Sequence, residues 1–172
     1  VKLIKGPKGT NVILTLKKVD GTIEDLSIPR DEIELEETYA KSTTVEKDGA
    51  TFGVINLPKF YIDFEDVNSR NAASDVKKEI SRLKAEGMQG LVLDLRNNGG
   101  GSLKTVVDMA GLFIKDGPIV QVRSTADDKD VLKDTDRSIE WDGPLVILVN
   151  ELSASASEIL AAAMQDYKRA IV

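Results

Sequence analysis

The 172-residue chain has no cysteine and no histidine. Without thiolate or imidazole it cannot assemble a zinc site of the usual ligand sets. A cysteine nucleophile is excluded, and so is a serine–histidine–aspartate triad. Any general base has to be a carboxylate, a lysine, a tyrosine or a terminal amine. The lack of cysteine also suits a cell-envelope compartment where stray thiols oxidise. Positive charge is short: 23 Lys and Arg stand against 29 Asp and Glu, a net charge of -6 with no long basic run. That argues against a nucleic-acid partner and against a polybasic membrane patch. No apolar run approaches a membrane span, and no signal peptide is visible at Val1. The chain starts without Met in mid-pattern, so sequence upstream of Val1 is expected. No internal repeat or low-complexity tract is present.

What remains is an ordinary globular composition. The apolar fraction of 41% is enough for a core, and the length suits one domain or one domain plus a small piece. "VKLIKGPKGT" reads as the end of a helix, with Gly6 as C-terminal cap and Pro7 as stop. "NVILTLKKVDGTIEDLSI" alternates around Asp20-Gly21 and predicts a hairpin. An acidic connector follows. A second turn, Asp48-Gly49, precedes the strand "TFGVINL", and residues 58 to 73 read as an ordered loop. Ser74 is the expected N-cap of a helix carrying Val76, Ile80 and Leu83 on one face, closed by Gly87.

From there the pattern alternates. "GLVLDL" is a strand of the kind buried on both faces, "RNNGGGS" a turn and "LKTVVDMAGLFI" a helix ending near Asp116-Gly117-Pro118. "PIVQV" is a strand. Residues 123 to 142 read as a polar surface excursion ending at Trp141. "PLVILVN" is a second buried strand, "SASASEILAAAMQDYKRA" the next helix, and "AIV" the start of one more strand. This alternation predicts an α/β fold with a mostly parallel sheet covered by helices. In such sheets sites form at the carboxyl ends of strands, and two unusual turns fall there, Gly99–Ser102 and Asn150–Ser157.

The three glycines expose backbone amides before a helix N-terminus, which suits a phosphate or a developing oxyanion. A dinucleotide fingerprint needs a third glycine where Lys104 stands, and no phosphate-loop Gly-Lys-Ser/Thr is present. The alternative is that the glycines only make a tight turn. In "ELSASASEIL", a serine on a strand-to-helix turn is exposed at the positive end of the helix, as a nucleophile needs. It is equally a favoured cap: with Ser155 as N-cap, Glu158 falls at the capping-box position. The nearby lysine on the following helix is Lys168, and Asp166 is a carboxylate near the same end. Lys168, thirteen positions on, lies roughly 20 Å along the axis. Asp166 shares the face of Ser155 but is three turns away, so its part is limited to supporting the fold or the residues behind the site.

"LVLDLRNNGGGSL", "GPIVQVR" and above all "LSASASEILAAAMQDYKRA" resemble the carboxyl-terminal processing, or tail-specific, proteases of peptidase family S41. "LIKGPKGTNVILTL" resembles the closing part of the PDZ domain these enzymes carry. The resemblance covers the whole chain and implies a layered core like that of crotonase and Clp protease. Residues 1–31 are then the C-terminal part of a PDZ domain and 32–172 an incomplete protease core. It implies that Ser155 is the nucleophile of a serine–lysine dyad. The oxyanion donors are the N–H of Ala156 and a glycine N–H, mapped to Gly100 with Gly99 or Gly101 as alternatives. The base lysine sits on a Gly-Lys-Gly-like segment after the next strand, beyond Val172. The chain alone is therefore expected to be inactive. The implied substrates are proteins with accessible apolar C-terminal tails, the implied location is the periplasm or cell envelope, and no cofactor or metal is called for. Two rival readings stand beside it: a non-catalytic binding module of the same family, and a crotonase-type acyl-CoA enzyme.

Overall fold

The chain divides into two compact units, Val1–Glu36 and Glu37–Val172. A computed structural model describes residues 4–31, 38–62, 70–125 and 128–172. In the first unit the expected hairpin forms from β1 (Asn11–Lys17) and β2 (Ile23–Pro29), paired antiparallel from Asn11↔Pro29 to Lys17↔Ile23. Residues 4–10 are turns and irregular chain, and residues 1–3 of the expected helix end lie outside the described residues. Arg30 ties the unit together, its Nε donating to the Ile4 carbonyl at 2.8 Å and its guanidinium also to the Asn11 carbonyl at 2.9 Å. Most of the expected acidic connector lies outside the described residues.

The second unit is built on a four-stranded sheet in the order β3-β4-β5-β8. Strands β3 (Lys41–Lys47) and β4 (Ala50–Asn56) form a hairpin whose Asp48 and Gly49 both have positive φ, +54° and +78°. Positive φ at both turn residues matches the right-handed twist of the strands. The chain then crosses through α1 (Ala72–Ala85) to β5 (Gly90–Asp94), which lies parallel to β4 on one side and to β8 (Leu145–Leu148) on the other. The sheet is thus mixed: two of its three pairings are parallel, as expected, and β3 joins its edge antiparallel. β3 was not anticipated, because Lys-Ser-Thr-Thr-Val-Glu-Lys carries little apolar signal.

Three further expectations shift. Helix α1 is capped by Asn71, not Ser74: Asn71 Oδ1 accepts the Ser74 N–H at 2.9 Å and Ser74 Oγ accepts the Asn71 N–H at 3.3 Å. Ser74 is the third residue of a reciprocal capping box, a position usually held by Glu or Gln. Helix α2 (Leu103–Gly111) is shorter than its apolar pattern, and the chain turns before β6 (Gly117–Arg123). The excursion after β6 holds a strand, β7 (Lys129–Asp134), antiparallel to β6. β7 carries a pair of charged residues on each side of Val131-Leu132, which leaves little apolar alternation to read as a strand. Trp141 is buried, with Nε1 donating to the Pro144 carbonyl at 3.0 Å.

The last helix is α3 (Ala156–Asp166), and after it Ile171 bridges Val146 of β8 in parallel, the expected beginning of another strand. The core lies between sheet and helices. Val76, Ile80 and Leu83 of α1, Leu91 and Leu93 of β5, Val106 and Met109 of α2, Ile147 of β8, and Leu160 and Met164 of α3 are all at most 1% exposed. Each such side chain contributes about 1.5–3 kcal/mol. The segment after β4 is held to this body: Leu57 N–H donates to the Asp94 carbonyl, and Tyr61 Oη donates to buried Asp75 at 2.7 Å. Residues 63–69 of the expected loop lie outside the described residues.

Candidate active site

Strands β5 and β8 are parallel neighbours in register, Asp94 opposite Leu148, so they end at the same edge. The turns that follow them, 95–102 and 149–155, leave side by side. Two serines and two asparagines join them. Ser153 Oγ donates to the Leu95 carbonyl at 2.8 Å and accepts the Asn150 N–H at 2.9 Å. Ser157 Oγ donates to the Asn98 carbonyl at 2.8 Å, and the Ala154 N–H donates to the same oxygen at 3.0 Å. Asn150 Oδ1 accepts the Asn97 N–H at 2.8 Å, and Asn150 Nδ2 returns a bond to Asn97 Oδ1 at 2.9 Å. Ser153 and Ser157 are therefore braces between the turns.

Ser155 is different. It is exposed and stands at the N-cap of the helix that follows, Ala156–Asp166. It forms the expected capping box with Glu158, whose carboxylate accepts the Ser155 N–H at 2.6 Å. Its backbone sits at φ +55°, ψ −113°. A non-glycine residue there is strained by on the order of 1–3 kcal/mol, a strain that concentrates at functional positions. An exposed serine on a sharp strand-to-helix turn is the backbone geometry of a nucleophile elbow.

The glycine turn lies directly against it. A methyl group added at Gly100 would lie 2.8 Å from Ser155 Cβ, 2.8 Å from the Ala154 oxygen and 3.0 Å from the Ala156 nitrogen. Gly100, Ser155 and Ala156 are thus brought together. Ala156 is the first residue of α3, so its N–H has no acceptor within the helix and adds to the positive helix end. Gly101 sits against the Phe60 carbonyl and bridges Phe60 in parallel, while Gly99 is open on its outer side. Asp166 is not part of this cluster. It ends α3, about 15 Å along the axis from Ala156, and borders a shallow cleft with residues 118–121 and Tyr167.

Sequence reasoning missed Asn98. It is completely buried, and its side chain bonds both ways: Nδ2 donates to the Leu57 carbonyl at 2.7 Å and Oδ1 accepts the Gly100 N–H at 2.8 Å. The only signal was an asparagine preceding three glycines, which reads as a turn former. Beside it, the Arg96 guanidinium grips Asp94 through two hydrogen bonds of 2.9 and 2.6 Å and holds that carboxyl below the usual carboxylate range. Among the described residues no cluster of carboxylates suits a metal ion, and no helix is long and apolar enough to cross a membrane.

Residues 51–172 match the family model described as peptidase family S41. The chain is 41% identical over 173 residues to the tail-specific protease of Haemophilus influenzae, with all of this chain covered and 24% of the relative. It is 36% identical over 167 residues to the carboxy-terminal processing protease CtpA of Bacillus subtilis, covering 96% of this chain and 33% of the relative. The chain therefore spans about a quarter to a third of the length of these relatives. Among solved structures, the photosystem II D1 C-terminal processing protease superposes with a TM-score of 0.64 at 28% identity, over 96% of this chain and 43% of that protein.

Proposed function

The chain belongs to peptidase family S41, and from that premise we propose that it carries the nucleophile and oxyanion donors of a serine endopeptidase that trims or degrades proteins from accessible apolar C-terminal tails. The single observation that supports this reading is the seating of Ser155: exposed, at positive φ and against Gly100 beside the first N–H of the last helix, that of Ala156. Ser155 Oγ attacks the scissile carbonyl, and the oxyanion is held by the N–H groups of Ala156 and Gly100. Removing one such donor costs on the order of 3–4 kcal/mol of transition-state stabilisation. Collapse of the tetrahedral intermediate breaks the peptide C–N bond, the amine leaves with the proton taken from Ser155, and water hydrolyses the resulting acyl-enzyme.

The proton acceptor of this reading is the lysine that the family resemblance puts beyond Val172. A lysine serves as base when its surroundings keep it neutral. Lys168 lies past the far end of α3 and does not fill that role, and Asp166 acts only on the fold of that helix end. Residues 1–172 by themselves are accordingly expected not to cleave peptides. The hairpin unit is read as the closing part of a PDZ domain, and the compartment as the cell envelope.

The test uses the full-length protein. A peptide phosphonate that labels active serines is expected to modify Ser155, read by mass spectrometry of the digested protein, and Ser155→Ala is expected to abolish both labelling and cleavage of a peptide with an apolar C-terminus. Labelling elsewhere, or cleavage that survives Ser155→Ala, overturns the assignment. Acyl-CoA turnover without phosphonate labelling points instead to a crotonase-type enzyme.

A further inference from the structure

The inference drawn here rests on the reading of Ser155 as nucleophile and of the glycine turn as oxyanion site. The N–H which that reading assigns to the oxyanion is already engaged, because Gly100 donates to Asn98 Oδ1 at 2.8 Å. That oxygen belongs to a side chain with no solvent exposure, pinned at its other end to the Leu57 carbonyl. An N–H aimed at a fully buried atom is not aimed at the cleft through which a substrate carbonyl enters. The Gly100 carbonyl is engaged as well, accepting the Phe60 N–H at 3.0 Å. What Gly100 turns toward Ser155 is its Cα.

We infer that the Gly99–Gly100 peptide unit is a two-position switch and that Asn98 is the positioning residue that holds it at rest. At rest the oxyanion site has one donor, the Ala156 N–H. Turning the peptide unit so that its N–H leaves Asn98 Oδ1 for the cleft supplies the second.

Local sequence permits this motion. Rotating the unit changes only ψ of residue 99 and φ of residue 100, and both are glycine. Gly100 is at φ +100° and swings toward negative φ, which glycine accepts about as readily. No atom lies within 4 Å of the point where a Gly99 side chain would begin. The next peptide unit, whose carbonyl holds Phe60, need not move. Asn98 Oδ1 loses its donor when the unit turns, and an unsatisfied buried acceptor is costly, so the resting position is favoured without substrate. A developing oxyanion tips the balance, since a hydrogen bond to a charged acceptor is roughly twice as strong as a neutral one.

The test is a crystal structure of the full-length protein with a peptide boronic acid, whose tetrahedral adduct on a serine mimics the oxyanion. The expected result is an adduct on Ser155 with the Gly100 nitrogen about 3 Å from a boronate oxygen and its bond to Asn98 lost. An adduct on Ser155 with Gly100 still bonded to Asn98 overturns the switch and leaves the proposed function standing. Binding of the boronate without a bond to Ser155 overturns the proposed function and the switch together.

Discussion

The buried hydroxyl of Ser157 donates to the backbone carbonyl of Asn98, fifty-nine positions earlier in the chain. This serine lies two residues after the strained one and looks in sequence like a helix cap. Its work is to tie α3 to the glycine turn. Ser157→Ala is expected to lower stability by about 1 kcal/mol, the usual net value of one such bond. Urea unfolding of the two proteins, compared at constant m-value, measures it.

The strain at Ser155 has its own signature. Ser155→Ala and Ser155→Gly both remove the hydroxyl, but only glycine accepts φ +55° without a steric penalty. Net of glycine's larger unfolded-state entropy, Ser155→Gly is expected to be more stable than Ser155→Ala by about 1 kcal/mol. Equal midpoints in urea for the two variants would show that the turn is relaxed.

Neighbouring glycines are expected to differ sharply. Alanine at position 100 meets Ser155 and the Ala154 oxygen at 2.8 Å and inherits a positive φ. Gly100→Ala is expected to cost about 2–3 kcal/mol and to slow phosphonate labelling of Ser155 at least tenfold. Gly99→Ala meets no atom within 4 Å and is expected to stay within about 0.5 kcal/mol of the parent. Denaturation midpoints and labelling rates of the pair decide it.

Asp94 and Arg96 give a pH dependence. Arg96 depresses the folded-state value of the Asp94 carboxyl below 3.8. A depressed carboxyl stabilises the fold fully above its unfolded value, and that contribution is lost as pH falls through the lowered folded value. Asp94→Asn is thus expected to be less stable than the parent near neutral pH, by at most about 1 kcal/mol because Arg96 is half exposed. The gap should close at pH values well below 3.8. A gap that widened in acid would contradict the pairing.

Much of the fold was legible because its signals are local. The apolar runs of β5 and β8 are short and uninterrupted, and each is followed by a turn rich in small residues. Those two facts placed both turns at strand ends, and the family resemblance singled out Ser155. What stayed hidden depends on contact between distant residues. Asn71 outcompetes Ser74 as cap only because both side chains bond reciprocally. β7 reads as surface because its partner, β6, is needed to reveal a strand. Asn98 and Asn150 read as loop formers, and nothing local says that one binds Leu57 or that the other binds Asn97. Helical spacing put Asp166 on the face of Ser155 but three turns along the axis, and the helix places it at its far end.

The register of β5 with β8 has a consequence for chain continuity. The two halves of the site are spelled in separate passages of the sequence and meet because a sheet aligns them, not because the intervening chain leads one to the other. A single cut within residues 124–128, between β6 and β7, breaks the covalent path while leaving every brace between the turns in place. Two polypeptides divided there are expected to reassociate, and Ser155 in the reassembled pair to label with phosphonate as it does in the unbroken protein.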